Sequence, residues 1–318
     1  MGRVKCQDRT SRHDMYGKEQ EIGMLPQNME EASGLVQRWA EEFLNGPDND
    51  LGRPDGPREA AFGPPLTGFA AGYDPLWAEF KKVVDPGHWS PKEAFDLAFP
   101  DSGAPAEELS VIALVLPQTE ATLKEQRARR DFPGERWARS RWHGQPRVVN
   151  GLAAHLTERL RAAGLEAVAP DSLPEWRDFA GGPFLYSSNW SHRHAAYTAG
   201  LGTFGLCDGL ITPLGKAVRL SSLVVRAPFP AAKRDYEGPY DYCLFFNSGI
   251  CGKCIKRCPA GAIGPRGHDK SLCRPYIYEK SIPFITAHWP DISGAYGCGL
   301  CQAGVPCESR IPPRKRLS

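Results

Sequence analysis

The chain has 318 residues, 41% of them hydrophobic, enough for one large domain with its own core and a smaller one beside it. A formal net charge of +2 argues against a strong nucleic-acid footprint, and no run approaches the roughly 18 consecutive apolar residues of a membrane helix. Lys5, Arg9, Arg12 and Lys18 lead into no apolar stretch, and Arg129-Arg130 is too internal for a twin-arginine signal, so a cytoplasmic location with no membrane association is expected.

Residues 1–27 show no periodicity. Leu35, Val36, Trp39, Phe43 and Leu44 then give Met29 to Leu44 the spacing of an amphipathic helix. The Gly- and Pro-rich stretch from Asn45 to Pro65 reads as a long loop, and Ser90-Pro-Lys-Glu93 as a capping box opening a short helix from Pro91 to Phe99. Val111 to Leu116, β-branched and closed by Pro117, is a buried strand.

Helices are predicted over Thr119 to Arg130 and Val148 to Ala163, the second ending at Gly164 before a strand near Leu165 to Ala169. Leu210 to Thr212 and Val218 to Arg226 read as two strands joined by a Pro213 to Gly215 turn. This alternation is α/β in class, and the Pro-rich stretch from Pro228 to Pro239 marks a boundary. Three parts result: an extension with a helix over 1–60, an α/β unit over 61–240 and a cysteine-rich unit over 241–318. The basic tail of Arg310, Arg314, Lys315 and Arg316 reads as solvated.

Eight of the ten cysteines fall between Cys243 and Cys307, a clustering unlike a disulfide framework. The run Cys251-Gly-Lys-Cys254-Ile-Lys-Arg-Cys258-Pro259 has the spacing with which ferredoxin-type chains wrap a cubane iron–sulfur cluster. Two groups follow: Cys243, Cys251, Cys254 and Cys258, then Cys273, Cys298, Cys301 and Cys307. In such tandem domains the last cysteine of each group crosses over, which assigns Cys243, Cys251, Cys254 and Cys307 to one 4Fe-4S cluster and Cys258, Cys273, Cys298 and Cys301 to the other.

Two departures stand in this pattern. Ser248 occupies the place of the first cysteine, so Cys243 reaches in from upstream or the cluster has three cysteine ligands. The gap from Cys301 to Cys307 is also two residues longer than usual and lacks a trailing proline. Structural zinc on the Cys251/Cys254 and Cys298/Cys301 pairs is the competing reading. Against it, 43 residues separate the pairs, whereas zinc ribbons use about 15 to 20. Cys6 and Cys207 fall outside the grouping and read as ordinary thiols.

Upstream lies Tyr186-Ser-Ser-Asn-Trp-Ser-His192-Arg-His194, then Ala199-Gly200-Leu201-Gly202-Thr-Phe-Gly205, Leu210-Ile-Thr212-Pro-Leu-Gly215 and Val218-Arg219-Leu220. Such glycines let backbone approach a ligand. Gly200, Gly202 and Gly205 follow a helical stretch and not a strand, which disfavours a Rossmann site. His192 and His194, two apart on a helix, do not share a face, and read as surface or ligand-contacting polar residues.

These blocks, in this order and ahead of two cysteine groups, resemble epoxyqueuosine reductases and reductive dehalogenases over roughly residues 180 to 310. Cys273-Arg-Pro-Tyr-Ile-Tyr-Glu279 and Tyr296-Gly-Cys298 continue the match. The resemblance implies an α/β (α+β) fold: a nitroreductase-like corrinoid-binding domain followed by a small ferredoxin-like two-cluster domain. It implies base-off cobalamin, reduced to cobalt(I) through the clusters, with Ala199, Gly200, Leu201, Gly202, Gly205, Thr212 and Gly215 around the corrinoid. Counting back from Ala199, Tyr186 falls where epoxyqueuosine reductases carry an acidic proton donor and where dehalogenases use a tyrosine.

Tyr186 is therefore the expected acid, with Arg219, or Arg193, as the cation that would favour its ionisation. The competing reading for Tyr186 is a core tyrosine. No Asp-x-His-x-x-Gly motif is present for a histidine-ligated corrinoid. The expected partners are a low-potential donor of the ferredoxin or flavodoxin class and a small-molecule substrate. Because the sequence ends soon after the last cysteine, tRNA is the weaker expectation for substrate. A non-catalytic 4Fe-4S electron carrier is the reading from a different class.

Overall fold

The computed structural model describes residues 25–181 and 185–313. Cys6, the N-terminal basic residues and Arg314, Lys315 and Arg316 lie outside the described residues.

Helix α1 (Met29–Asn45) begins where the Asn28 side chain accepts from Glu30 N and buries Val36, Trp39, Ala40 and Leu44 along one stripe. Strand β1 (Leu66–Ala71), α2 (Leu76–Val83) and α3 (Pro91–Ala98) follow. The capping box is formed in full, with Ser90 Oγ accepting from Glu93 N and the Glu93 carboxylate accepting from Ser90 N. Then come β2 (Leu109–Pro117), α4 (Glu120–Ala128), α5 (Glu135–Trp142), a π-turn over Gly144–Val149 and α6 (Asn150–Ala162).

The remaining elements before residue 240 are β3 (Ala167–Val168), β4 (Asp178–Ala180), β5 (Tyr186–Ser188), α7 (His192–Thr198), β6 (Thr203–Phe204), β7 (Leu210–Ile211) and β8 (Val218–Arg226). The main sheet runs β1-β2-β8-β3, and every pairing in it is antiparallel. The alternation of helices and strands thus builds a mixed helix and strand fold with no parallel pairing among the described residues. Nor are the segments flanking the Pro213 to Gly215 turn a hairpin pair. Strand β7 pairs with β6, whereas β8 enters the main sheet beside β2 in register Leu116↔Arg219 to Leu109↔Arg226.

Both faces of β2 are covered, which explains a strand that is continuously apolar. Val111, Ala113 and Val115 point to a core with Trp77, Phe95 and Trp190, and Ile112, Leu114 and Leu116 to one with Val36, Trp39, Leu152 and Leu156. Each such side chain contributes about 1.5–3 kcal/mol on burial. The first of these cores continues past residue 240 into Tyr242, Cys254, Ile263 and Val305.

That region contains α8 (Leu244–Ser248), α9 (Lys253–Arg257), α10 (Lys270–Tyr276), a π-turn over Ile277–Ser281 and α11 (Ile282–His288). One clamp joins it to the chain before residue 240: the Arg139 guanidinium, 1% exposed, donates to both Asp291 oxygens and to Glu135. Among the described residues no helix is long and apolar enough to cross a membrane.

Candidate cluster cages and the adjoining cleft

Cys243 sits at the N-cap of α8, Cys251 precedes α9, Cys254 lies within α9, and Cys307 comes from the C-terminal segment. Gly252, at φ +132°, makes the turn between Cys251 and α9. These four cysteines line one cavity, together with Gly205, Leu206 and Lys216. Ser248 is not free to join them, since its hydroxyl donates to Leu244 O at 2.9 Å. The upstream Cys243 thus takes the side of the cavity that the sequence spacing left open.

The second set is gathered around Cys298. Burial pushes its thiol up to about 12, and the neighbouring thiols of Cys273 and Cys258 act in the same direction. Cys258 closes α9, where its sulfur accepts from Ala262 N, and Cys273 lies in α10. Cys301 stands in the 3₁₀ turn Leu300–Gln302, and the Cys298 thiol also acts on it. Among the described residues no group of three such side chains is close enough to hold a single metal ion. Two four-thiol sets of this chemistry fit iron–sulfur cubanes.

Sequence reading missed three residues here. Cys207 is no isolated thiol: it is buried, its thiol reaches Cys301 O at 3.9 Å, its sulfur accepts from Lys216 Nζ at 3.2 Å, and Cys254 is among its neighbours. Lys216 is 3% exposed, and the loss of solvent works against its charge. The sulfurs of Cys207, Cys307, Cys301 and Cys254 surround it, and negative charge on them offsets that penalty and raises its value. The third is Arg274, whose guanidinium lies 4.3 Å from the centroid of the Tyr186 ring.

A cleft of about 830 Å³ opens beside the second set, lined by Leu185, Gly261, Arg266, His268, Asp269 and Lys270. Tyr186 adjoins it, half-buried on β5, and its carbonyl accepts from Lys270 Nζ at 2.8 Å. His268 pairs with Asp208 at 2.9 Å. Burial works against the imidazolium, but its bonds to Asp208 and Cys273 hold it up to about 10.

Arg219, the expected helper of Tyr186, stands elsewhere, 5.6 Å from the Trp137 ring centroid, with its buried Nε unpartnered. Burial and the neighbouring Arg141 pull it down to about 9. Arg193 donates to Asp208 O. The cation on Tyr186 is Arg274.

The glycine-rich turn is closed on the chain itself. A Cβ at Gly202 would overlap the Ile211 carbonyl, one at Gly215 the Glu308 carbonyl, and one at Gly205 or Gly200 would press on Ile211 or Ala232. Ala199, Leu201 and Thr212 are buried, and the Thr212 hydroxyl bonds Gly215 O at 2.8 Å. These residues bring β6, β7 and the C-terminal segment together. The histidines differ from expectation too. His192 bridges Ser222 and Asp171, and His194 packs against Phe80 and Phe204, because α7 lies against the sheet.

No protein-family model matches the chain. An epoxyqueuosine reductase of Bacillus anthracis is 30% identical over 160 residues, and one of Bacillus cereus is 32% identical over 160 residues; each match covers 49% of this chain and 39% of the relative. The chain spans about two fifths of the length of these curated relatives. Among solved structures, an epoxyqueuosine reductase from Bacillus subtilis aligns over 90% of this chain and 70% of its own at TM-score 0.45 and 17% identity. A catabolic reductive dehalogenase aligns over 89% and 37% at TM-score 0.47 and 15% identity. The curated relatives carry the name of one of the two families that the residues resemble.

Proposed function

We propose that the chain is a corrinoid-dependent iron–sulfur reductase acting on a small molecule, with Tyr186 as its proton donor. The observation that supports this most is the gathering of eight cysteines into two sets beside a cleft that Tyr186 adjoins. Cys243, Cys251, Cys254 and Cys307 would hold one 4Fe-4S cluster, and Cys258, Cys273, Cys298 and Cys301 the other. A bound corrinoid supplies low-valent cobalt as the electron donor to substrate. The chain's own part is to position the substrate, exclude water from the cleft and deliver a proton from the Tyr186 hydroxyl, with Arg274 holding the ring. A nitroreductase-like fold for residues 61–240 and a ferredoxin-like one for 241–318 accompany this reading, as does a ferredoxin or flavodoxin as donor.

The test is anaerobic purification with metal analysis and a visible spectrum before and after incubation with cobalamin. About eight irons per chain, two cubanes, with cobalt retained near one per chain supports the reductase. Iron without cobalt leaves an electron carrier and ends the corrinoid reading. A second reading, reduction of an epoxide in tRNA, is favoured by the names of the curated relatives. Turnover of an epoxyqueuosine-bearing stem-loop, against none with halogenated aromatics, would select it.

A further inference from the structure

Lys216 is a buried cation without a carboxylate. It follows the turn glycine Gly215, its backbone N donates to Cys307 O at 2.9 Å, and its ammonium points inward to the Cys207 sulfur at 3.2 Å. Its other electrostatic neighbours are the thiols of Cys307, Cys301 and Cys254. Among the described residues no carboxylate forms an ion pair with it. An ammonium shut away from water costs several kcal/mol unless an anion stands beside it. Neutral thiols do not meet that cost. A thiolate-ligated cubane does, because it carries net negative charge in both oxidation states and gains one more on reduction.

The position matters as much as the charge. Cys254 belongs to the first cage and Cys301 to the second, and Cys207 touches both, so the Lys216–Cys207 pair stands in the wall between the cages. We propose that Lys216 is a shared cation between the two clusters that raises the reduction potential of at least one, with Cys207 anchoring its ammonium and not serving as a ligand. This rests on the reading that the cages hold clusters. The physical reason is that a fixed positive charge beside a cluster favours the more negative, reduced state, and net charge is one of the factors that tune such potentials.

The experiment compares the reconstituted full chain with Lys216→Met, Lys216→Gln, Lys216→Arg and Cys207→Ser, by iron content and by redox titration followed by electron paramagnetic resonance. Absence of both cluster signals in the unaltered protein would remove the functional reading itself. With both present, Lys216→Met keeps its iron while the reduced-to-oxidised ratio of a cluster at fixed poise falls about tenfold, which is 59 mV for a one-electron couple. Lys216→Arg restores the ratio, and Cys207→Ser keeps full iron.

An unmoved ratio with full iron in Lys216→Met overturns the inference. Should that variant lose iron, Lys216→Gln, polar and of similar length, carries the same comparison. Iron loss in both assigns Lys216 to cage assembly and overturns the potential-setting role. Iron loss in Cys207→Ser makes Cys207 a ligand and overturns its role as anchor.

Discussion

The Arg274 guanidinium lies 4.3 Å from the centroid of the Tyr186 ring and 4.7 Å from that of Tyr278, so one cation from α10 is held between two aromatic faces. Such a contact holds a ring with about 0.5–1 kcal/mol at a partly exposed position. It also separates two roles of Tyr186. Tyr186→Phe keeps the ring under Arg274 and removes only the hydroxyl. If the phenol donates the proton, turnover with an identified substrate falls about 10²–10⁴-fold while the melting temperature holds. Undiminished turnover would show that the proton comes from elsewhere.

Cluster ownership can be read by counting iron. Cys251→Ala should remove the first cluster and Cys298→Ala the second, each leaving about four of eight irons per chain. Cys258 is the discriminating position: it is a neighbour of Cys251 and Cys254 in sequence, but in space it acts on Cys298. Cys258→Ala should therefore lose the signal lost in Cys298→Ala. Loss of the Cys251→Ala signal instead would refute the crossed pairing.

Much of this was legible because local chemistry and tertiary packing agree. Strand β8 runs from Val218 to Arg226 as its β-branched pattern says, and Ser90 and Glu93 form the capping box that their spacing announces. Strand β1, Leu-Thr-Gly-Phe-Ala-Ala, was hidden because small residues take the place of the usual β-branched ones. Gly68 is required there since a Cβ would overlap Leu201. Helix α5 was hidden behind its charges: Arg139 looks like a surface residue until Asp291, 152 residues away, comes to meet it. Lys216 beside Cys207, and Arg274 over Tyr186, are likewise contacts between distant segments that no local pattern encodes.

His88 gives the fold a pH dependence of known sign. It is fully buried, its Nε2 accepts from Ser191 N, its Nδ1 has no partner, and it packs against Trp190 and Phe80. Burial lowers its value to about 4. As pH falls through the ordinary value near 6.5, the unfolded chain takes the proton first. The contribution of neutral His88 is therefore full above about pH 6.5 and lost between 6.5 and 4. Between pH 7.5 and 5.5 the loss is about 1 kcal/mol. Urea unfolding of His88→Gln should show a flatter dependence by about that amount, and an identical slope would count against the buried neutral imidazole.

Gly215 ties the glycine-rich segment to the first cage. It holds φ +80°, where a side chain costs about 1–2 kcal/mol, and a Cβ there would overlap the backbone of Glu308. The neighbouring bonds, Lys216 N to Cys307 O and Ala217 N to Glu308 O, fix the segment that carries Cys307. The Glu308 carboxylate is clasped in turn by Arg127. In Gly215→Ala backbone must give way to backbone, Cys307 moves with it, and the first cluster's iron should be lost. Gly103→Ala is the matched control, with φ +62° and open space around it. It should keep its iron and lose only about 1–2 kcal/mol of stability. Full iron and an unchanged melting temperature in Gly215→Ala would mean that the turn does not position Cys307.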